Sequence, residues 1–183
     1  MMVCYQAGRA MKDIRRNRTE MLSLRLTPHL RAGLEVMAAL RKANLSKTIA
    51  SALSAALERE KVPMPNILRG SAEMTLDKLL ELIWSEDEML FKLRMYYVLP
   101  EGLATGDHDA IAVVVSNQHL FSGSTNIFWG QSENVLPANQ DVPTFDIEKI
   151  RDSWRMLRRY VDFVRDNDDL RVSFETFCTL GPD

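Results

Sequence analysis

The sequence has few cysteines and no long hydrophobic run. Its two cysteines, Cys4 and Cys178, lie near opposite ends of 183 residues, which excludes the disulfide framework of small secreted domains. Because no Cys/His spacing of the zinc type occurs, we expect no metal and no other cofactor. The longest apolar block, 110–115, is far shorter than the roughly 20 residues that span a bilayer. The first residues also lack the apolar segment of a secretory signal, so the sequence predicts a cytoplasmic protein with no membrane partner.

Motifs of enzyme active sites are missing as well. The three histidines are scattered, and no phosphate-cradling glycine loop or nucleophile motif occurs. The triplet 107–109, Asp-His-Asp, has residue types that suit a metal site or acid–base chemistry. However, it follows Gly106 at a predicted helix start, where aspartate is expected for capping. We therefore interpret this triplet as structural and predict that the protein is not an enzyme.

The near-neutral net charge of −2 conceals two opposite halves. Residues 1–61 hold 12 Lys/Arg and 5 Asp/Glu, whereas residues 62–183 hold 11 Lys/Arg and 20 Asp/Glu. A basic module attracts the phosphate backbone of DNA, and an acidic one is repelled by it. Residues 1–19 carry a cluster of cations that predicts a phosphate-contacting arm: Arg9, Lys12, Arg15, Arg16 and Arg18. Two alternatives are a disordered basic start and translation from Met11.

Residues 21–60 have the pattern of one short strand followed by two short helices. Apolar and other side chains alternate over 21–26, as in a strand with one buried face. Thr27 and Pro28 suit the cap and first position of a helix, which carries the apolar stripe Leu30, Leu34, Met37 and Leu40. Asn44 can adopt the left-handed backbone conformation that ends a helix, so the first helix is predicted to end there. Ser46 suits the cap of the next, whose inward residues are Ile49, Leu53, Ala56 and Leu57.

This order of elements resembles the ribbon-helix-helix DNA-binding superfamily, the Arc/MetJ/CopG-like proteins. The resemblance covers roughly the first third of the chain, through SLRLTP at 23–28, the helix stripe, and the turn NLSKT at 44–48. It implies a homodimer in which two strands pair antiparallel and enter the major groove of double-stranded DNA. The sequence departs from the family at Asn44, where glycine is common, and at Met21, where many members carry a polar or basic reader.

The resemblance also assigns roles to single residues. It implies base contacts from Met21, Ser23 and Arg25. It implies phosphate contacts at the start of the second helix and from the arm: Ser46, Lys47, Thr48, Arg16 and Arg18. The predicted dimer core comprises the apolar strand face and the inward helix residues: Leu22, Leu24, Leu26, Leu30, Leu34, Met37, Ile49 and Leu53. The elementary chemistry agrees, since arginine pairs with guanine and a helix N-terminus favours an anion.

The second part of the chain has its own folding signals. Two prolines and a glycine over 62–70 indicate a linker, and residues 71–183 then form an acidic domain with three tryptophans. Two helices are predicted first, one from the Thr75 cap to Trp84 and one from a Ser85/Glu88 capping box to Val98. A third is predicted over 107–120, with a buried strand at AIAVVV as the alternative. A fourth runs from the Asp146 cap over 147–167. Residues 123–130 suggest a turn then a strand, 131–145 a loop, and LRVSFETF near the end a strand or docking tail.

The arginines of the last long helix have two readings. Arg151, Arg155, Arg158 and Arg159 lie toward one side of it and could contact DNA or a partner's acidic surface. Pairing with the 20 acidic residues of the same half is the favoured interpretation. The segment from WSEDE to the tryptophan-containing helix is also similar to an uncharacterised group of bacterial mobile-element proteins, a similarity that implies no chemistry.

The predicted fold is mainly α: a dimeric ribbon-helix-helix over 20–61 and a mostly helical domain with a short β element. The predicted function is sequence-specific DNA binding in the nucleoid, as a transcriptional repressor or autoregulator. The alternative is an antitoxin, a plasmid or mobile-element maintenance protein, or a conjugation accessory protein, whose second domain binds a protein partner or ligand. Higher oligomers on DNA are compatible with either.

Overall fold

A computed structural model of the chain describes residues 23–63, 73–128, 144–167 and 169–181. These residues form eight α-helices and four short strands in two antiparallel pairs, which confirms the prediction of a mainly helical fold. The chain divides into two compact units within the second helix, the first ending at Ile49 and the second beginning at Ala50. Among the described residues, no helix combines the length and apolarity that crossing a bilayer requires.

The first helix of the first unit begins where the sequence predicts. Helix α1 spans Pro28–Leu40, with Thr27 extended at its N-cap and Pro28 in the first helical turn, although the Thr27 side chain makes no capping hydrogen bond. Helix α2 spans Leu45–Arg59. Residues 23–27 lie in neither helix nor strand, and Met21 and Leu22 lie outside the described residues. The strand predicted over 21–26 is therefore not formed within its described residues, 23–26.

The turn between these helices corrects two predictions. Lys42, not Asn44, adopts the left-handed conformation, with φ 50°. The amides of Ala43 and Lys42 donate to Ala38 O (3.0 Å) and Ala39 O (3.2 Å), the pattern with which a left-handed residue closes a helix. Asn44 instead caps α2, because its side-chain oxygen accepts from the Lys47 amide at 2.8 Å. Ser46, predicted as that cap, lies inside the first turn of α2.

Within the described residues, the second unit contains the rest of α2, six further helices and both strand pairs. The helices are α3 Leu76–Ile83, α4 Glu88–Val98, α5 Thr105–Ser116, α6 Gln118–Phe121, α7 Ile147–Asp166 and α8 Phe174–Leu180. A 3₁₀ turn, Pro100–Gly102, follows α4. The strands are β1 Lys61–Pro63, β2 Glu73–Thr75, β3 Ser122–Asn126 and β4 Thr144–Phe145.

The two strand pairs correct the predicted linker at 62–70 and the predicted order of turn and strand at 123–130. β1 pairs antiparallel with β2, Val62 opposite Met74, so the first two residues of the predicted linker are a strand. β3 pairs antiparallel with β4 and contains a bulge between Ser122 and Thr125. A strand therefore precedes the turn at 127–128, the reverse of the predicted order. Most of the predicted 131–145 loop lies outside the described residues, and its last two residues form β4.

The predicted starts of two helices are confirmed by their caps. Thr75 accepts from the Lys78 amide and opens α3, and Asp146 accepts from the Lys149 amide and opens α7. The predicted Ser85/Glu88 capping box is wrong. Asp87 caps α4 by accepting from the first-turn amides of 89 and 90, while the Ser85 hydroxyl accepts from the Asp87 amide.

Helices replace both of the strand alternatives. In α5, the buried residues Ala110, Ile111 and Val114 recur at helical rather than alternating spacing, so AIAVVV is a buried helix face. Near the C-terminus, the Ser173 hydroxyl accepts from the Thr176 amide and caps α8. Its two phenylalanines, Phe174 and Phe177, are buried and contact the rings of Tyr160 and Phe163 on α7.

The core of the second unit lies among α3, α4, α5 and α7, with β3 and β4 along one border. Its most deeply buried side chains are Leu79, Ile83, Leu93, Ile111, Val114, Phe121, Ile127, Phe145, Ile150 and Leu157. The predicted inward stripe of α7 is confirmed at Ile150, Leu157 and Val161, whereas Trp154 is half-buried and Val164 is exposed. These buried side chains form one hydrophobic cluster, so the second unit has a core of its own.

Gly123 allows β3 to approach β4 closely, which leads to a prediction. A Cβ at this position would lie 2.4 Å from the backbone nitrogen of Asp146, a contact that requires the two backbones to separate. We expect Gly123→Ala to lower the free energy of unfolding of the second unit by about 1–3 kcal/mol, the usual cost of overpacking. Urea unfolding followed by circular dichroism measures it. Ser124→Ala, one residue along in the exposed part of the same strand, is the control, and equal stability of the two variants would contradict the prediction.

Candidate nucleic-acid interface

The first unit has almost no interior within one chain. Only Ala38 and Thr48 are buried among its described residues. The predicted dimer-core residues are instead open: Leu24, Leu26, Leu30 and Leu53 are exposed, Leu34, Met37 and Ile49 are half-buried, and Leu22 lies outside the described residues. We call the described members of this set up to Ile49, all in the first unit, the apolar face. A unit with exposed leucines and almost no buried side chains lacks the burial that stabilises a domain.

The predicted base-reading side chains alternate with the leucines of this face. Ser23 and Arg25 are both exposed, and they precede α1 in the same segment as Leu24 and Leu26. Alternation places neighbouring side chains on opposite sides of an extended segment, so a chain that buries the leucines presents Ser23 and Arg25 outward. The third predicted reader, Met21, and the arm residues Arg16 and Arg18 lie outside the described residues.

The start of α2 is fixed by a small network around Asn44. Its side-chain oxygen accepts from the Lys47 amide, and its carbonyl accepts from the Thr48 amide at 3.0 Å and the Thr48 hydroxyl at 3.1 Å. Ser46 and Lys47 are exposed, whereas Thr48 is only 1% exposed. The predicted phosphate contact from the Thr48 side chain is therefore wrong, because its hydroxyl is buried and used to hold the turn.

The remaining groups of this turn suit an anion. The amides of Leu45 and Ser46 precede the first intrahelical hydrogen bond, which leaves them pointing out of the helix N-terminus. The helix dipole adds partial positive charge there, and Lys47 adds a full one. Residues 23–49 contain a single acidic side chain, Glu35, which pairs with Arg31 at 3.0 Å, against five Lys/Arg. The described part of the first unit is thus strongly cationic.

The helix-capping role predicted for the acidic–histidine triplet is wrong, because α5 begins at Thr105 with Ala104 as its N-cap. The triplet lies inside the helix, where its side chains form pairs. Asp107 accepts from Lys92 (3.0 Å) and Arg158 (2.7 Å), which joins α4, α5 and α7. His108 lies 3.1 Å from Asp109 and packs against the ring of Tyr96. Among the described residues, no three His, Cys, Asp or Glu side chains are grouped so that they could hold a metal ion.

Two arginines of α7 confirm the intramolecular interpretation. Arg151 pairs with Glu148 on its own helix and with Asp87 at the start of α4, both at 2.5 Å. The hydrogen bond to Glu148 and then the charge of Asp87 raise the pKa of Arg151 above its ordinary value. Arg158 pairs with Asp107. Both guanidinium groups therefore hold the second unit together, which leaves them unsuited as a surface for DNA.

A cavity of about 560 Å³ lies beside these pairs, between the starts of α4 and α7 and the strands β3 and β4. Its lining includes Asp87, Asp146 and Glu148. Asp87 and Asp146 are occupied as helix caps, and Asp87 and Glu148 bind Arg151. The charged groups around this cavity thus already have partners within the chain.

Arg94 is the important residue that sequence reasoning missed. It is buried in α4 and donates to the carbonyls of Ile83, Trp84 and Ile127. Desolvation by burial lowers the pKa of its guanidinium. The available signal was an arginine between Leu93 and Met95, within an otherwise apolar helix face. That signal marks a buried cation but not its partners, which come from elsewhere in the chain.

Comparisons with protein-family models, with curated proteins and with solved structures find no match to this chain.

Proposed function

We propose that this protein is a homodimeric, sequence-specific DNA-binding protein of the ribbon-helix-helix type that represses transcription. The observation that carries the proposal is the apolar face. Leu24 and Leu26 before α1 and Leu30 on α1 are all exposed within one chain. A second copy that adds its own strand and helices would bury all of them together, which gives the unit the core it lacks.

The polar groups of the same segment support the DNA-binding part of the proposal. Burying Leu24 and Leu26 between two chains turns Ser23 and Arg25 toward the groove of the duplex. Arg25 can donate two hydrogen bonds to the O6 and N7 atoms of guanine, and Ser23 can pair with several bases. The start of α2, with Ser46 and Lys47, would bind a backbone phosphate and fix the orientation of the ribbon. A dimer bound across an operator excludes polymerase without further machinery.

A second candidate is a role in maintaining a plasmid or mobile element, including conjugation accessory and antitoxin roles. The observation that favours it is the second unit, which has its own buried core and 20 of the protein's 25 acidic residues within 62–183. DNA binding by a ribbon-helix-helix does not need a second folded unit, and such a unit is suited to binding a partner. Among these roles, an antitoxin is the least favoured, because a folded domain differs from a disordered toxin-wrapping tail.

Sequence readout and phosphate binding can be separated by two substitutions. We expect Arg25→Ala to weaken binding to the preferred site by about 1–3 kcal/mol and to relax preference at one base per half-site. We expect Lys47→Ala to weaken specific and non-specific DNA about equally and to reduce the slope of log K against log salt, because it removes a phosphate contact. Selection of a site from a random duplex library, followed by binding titrations at several salt concentrations, measures both effects.

A matched control is Arg31→Ala, which removes an exposed arginine of α1 that already pairs with Glu35. We expect it to change neither the preferred sequence nor the salt slope substantially. If the wild-type chain selects no sequence, the proposed function is wrong. If it selects one and Arg25→Ala leaves the preference intact, DNA binding stands but this segment is not the reader.

A further inference from the structure

Trp84 is an exposed aromatic residue whose backbone is firmly held. Its side chain is 62% exposed, although the neighbouring α3 residues Leu79 and Ile83 are buried. Its amide donates to Leu80 O at 2.8 Å, and its carbonyl accepts from Arg94 at 2.8 Å. The backbone of Trp84 is therefore fixed by the core beneath it, which reduces the entropy that a partner would need to remove on binding.

A second ring supports the indole from the side. Phe91 on α4 is half-buried and meets Trp84 edge to face, with 5.5 Å between ring centroids. Edge-to-face geometry stabilises a ring pair, and Trp84 stays largely exposed within it. The two rings thus form an ordered apolar spot at the junction of α3 and α4.

Carboxylates lie close to this spot along the chain. Glu81 precedes Trp84 by three residues on α3, Glu86 follows it by two, and Glu88 precedes Phe91 by three on α4. All three are exposed. Glu88 pairs with Lys92, whereas neither Glu81 nor Glu86 pairs with a cation among the described residues. We call these five residues, Trp84, Phe91, Glu81, Glu86 and Glu88, the acidic–aromatic surface.

We propose that the acidic–aromatic surface binds a basic amphipathic segment of a partner protein. An apolar centre with a charged border is the arrangement of protein–protein contacts, and tryptophan is enriched among the residues that dominate their affinity. The partner inserts a large apolar side chain against Trp84 and Phe91 and places Lys or Arg opposite Glu81 and Glu86. A second copy using the same surface is disfavoured, because it would place carboxylate against carboxylate. This binding is separate from the proposed DNA contact, since it uses only residues of the second unit.

The test uses the full-length protein and a labelled synthetic peptide of about 16 residues, long enough for four helical turns, with Leu and Lys at helical spacing. Fluorescence anisotropy gives its Kd. A matched peptide carries Glu in place of every Lys. We expect the Lys peptide to bind and Trp84→Ala to raise its Kd at least tenfold, roughly the effect of losing a dominant contact. We expect Glu81→Gln with Glu86→Gln to weaken binding and to reduce its salt dependence.

The control is Leu180→Ala, which removes an apolar side chain of α8 that is 72% exposed. We expect its Kd to match the wild type. Because Trp84 is exposed, Trp84→Ala should keep the wild-type circular dichroism spectrum, which separates lost binding from lost folding. The proposal is overturned if the Lys peptide does not bind, if the Glu peptide binds equally well, or if Trp84→Ala and Leu180→Ala have the same affinity.

Discussion

Replacing Leu30 with glutamate is expected to convert the protein from a dimer into a monomer and to abolish specific DNA binding. Leu30 belongs to the apolar face and is 53% exposed within one chain. In the proposed dimer it is covered, so each copy would bury an unpaired carboxylate at a cost of several kcal/mol. Since 1.4 kcal/mol corresponds to tenfold in an equilibrium constant, we expect DNA affinity to fall by at least about 100-fold. Sedimentation velocity and gel-shift titration measure the two effects.

The chain offers a closely matched control in Val36→Glu. Val36 lies on the same helix and is similarly exposed, at 58%, but it points about a third of a turn away from Leu30. We expect this variant to stay dimeric and to bind DNA almost as well as the wild type. A dimeric Leu30→Glu protein, or equal loss in both variants, would contradict the proposed interface.

Replacing Arg94 with methionine is expected to cause the largest loss of stability in the second unit. Methionine fills similar space but leaves the carbonyls of Ile83, Trp84 and Ile127 without their guanidinium donor. Unsatisfied buried acceptors cost about 1–3 kcal/mol each, so we expect the free energy of unfolding to fall by about 3 kcal/mol or more. Urea unfolding at equilibrium measures the loss as a lower midpoint with an unchanged slope.

Two further variants separate hydrogen bonding from charge. Arg94→Lys keeps the positive charge, but one ammonium group cannot reproduce the fixed fork of the guanidinium, so we expect an intermediate loss. Arg155→Met removes an exposed arginine of α7, and we expect it to change stability by less than about 0.5 kcal/mol. If Arg94→Met is as stable as Arg155→Met, the three hydrogen bonds do not stabilise the unit.

Sequence reasoning located helices well where the signal is local. The starts of α3 and α7 follow from Thr75 and Asp146, because a cap acts within one turn of its own helix. The start of α1 follows from Pro28, whose ring suits the first turn of a helix. It failed where two nearby residues compete for the same role. Asn44 and Ser46 are both good caps, and Asp87 and Ser85 are both good caps; which one acts depends on backbone angles that a pattern does not give.

Sequence patterns also did not predict structure that depends on contacts between residues distant in the chain. The LRVSFETF segment suits a strand by its β-branched and aromatic residues, yet its second half, 174–177, begins α8. Phe174 and Phe177, three residues apart, can then both pack against α7. Similarly, Lys61–Pro63 is a strand because Glu73–Thr75 pairs with it. Such pairing depends on residues that are distant in sequence.

For the candidate interface, the sequence by itself determined the chemistry: the alternation of leucines with Ser23 and Arg25, the basic charge of the first 61 residues, and the acidity of the rest. These follow from composition and period, which folding does not change. Only the tertiary structure decided which groups remain accessible. Thr48 is buried and its hydroxyl donates to the Asn44 carbonyl. Arg151 and Arg158 form ion pairs with carboxylates, whereas Leu30 and Trp84 remain exposed to water. The physical reason is that burial and pairing depend on neighbours brought together by folding, whereas residue type and spacing are fixed along the chain.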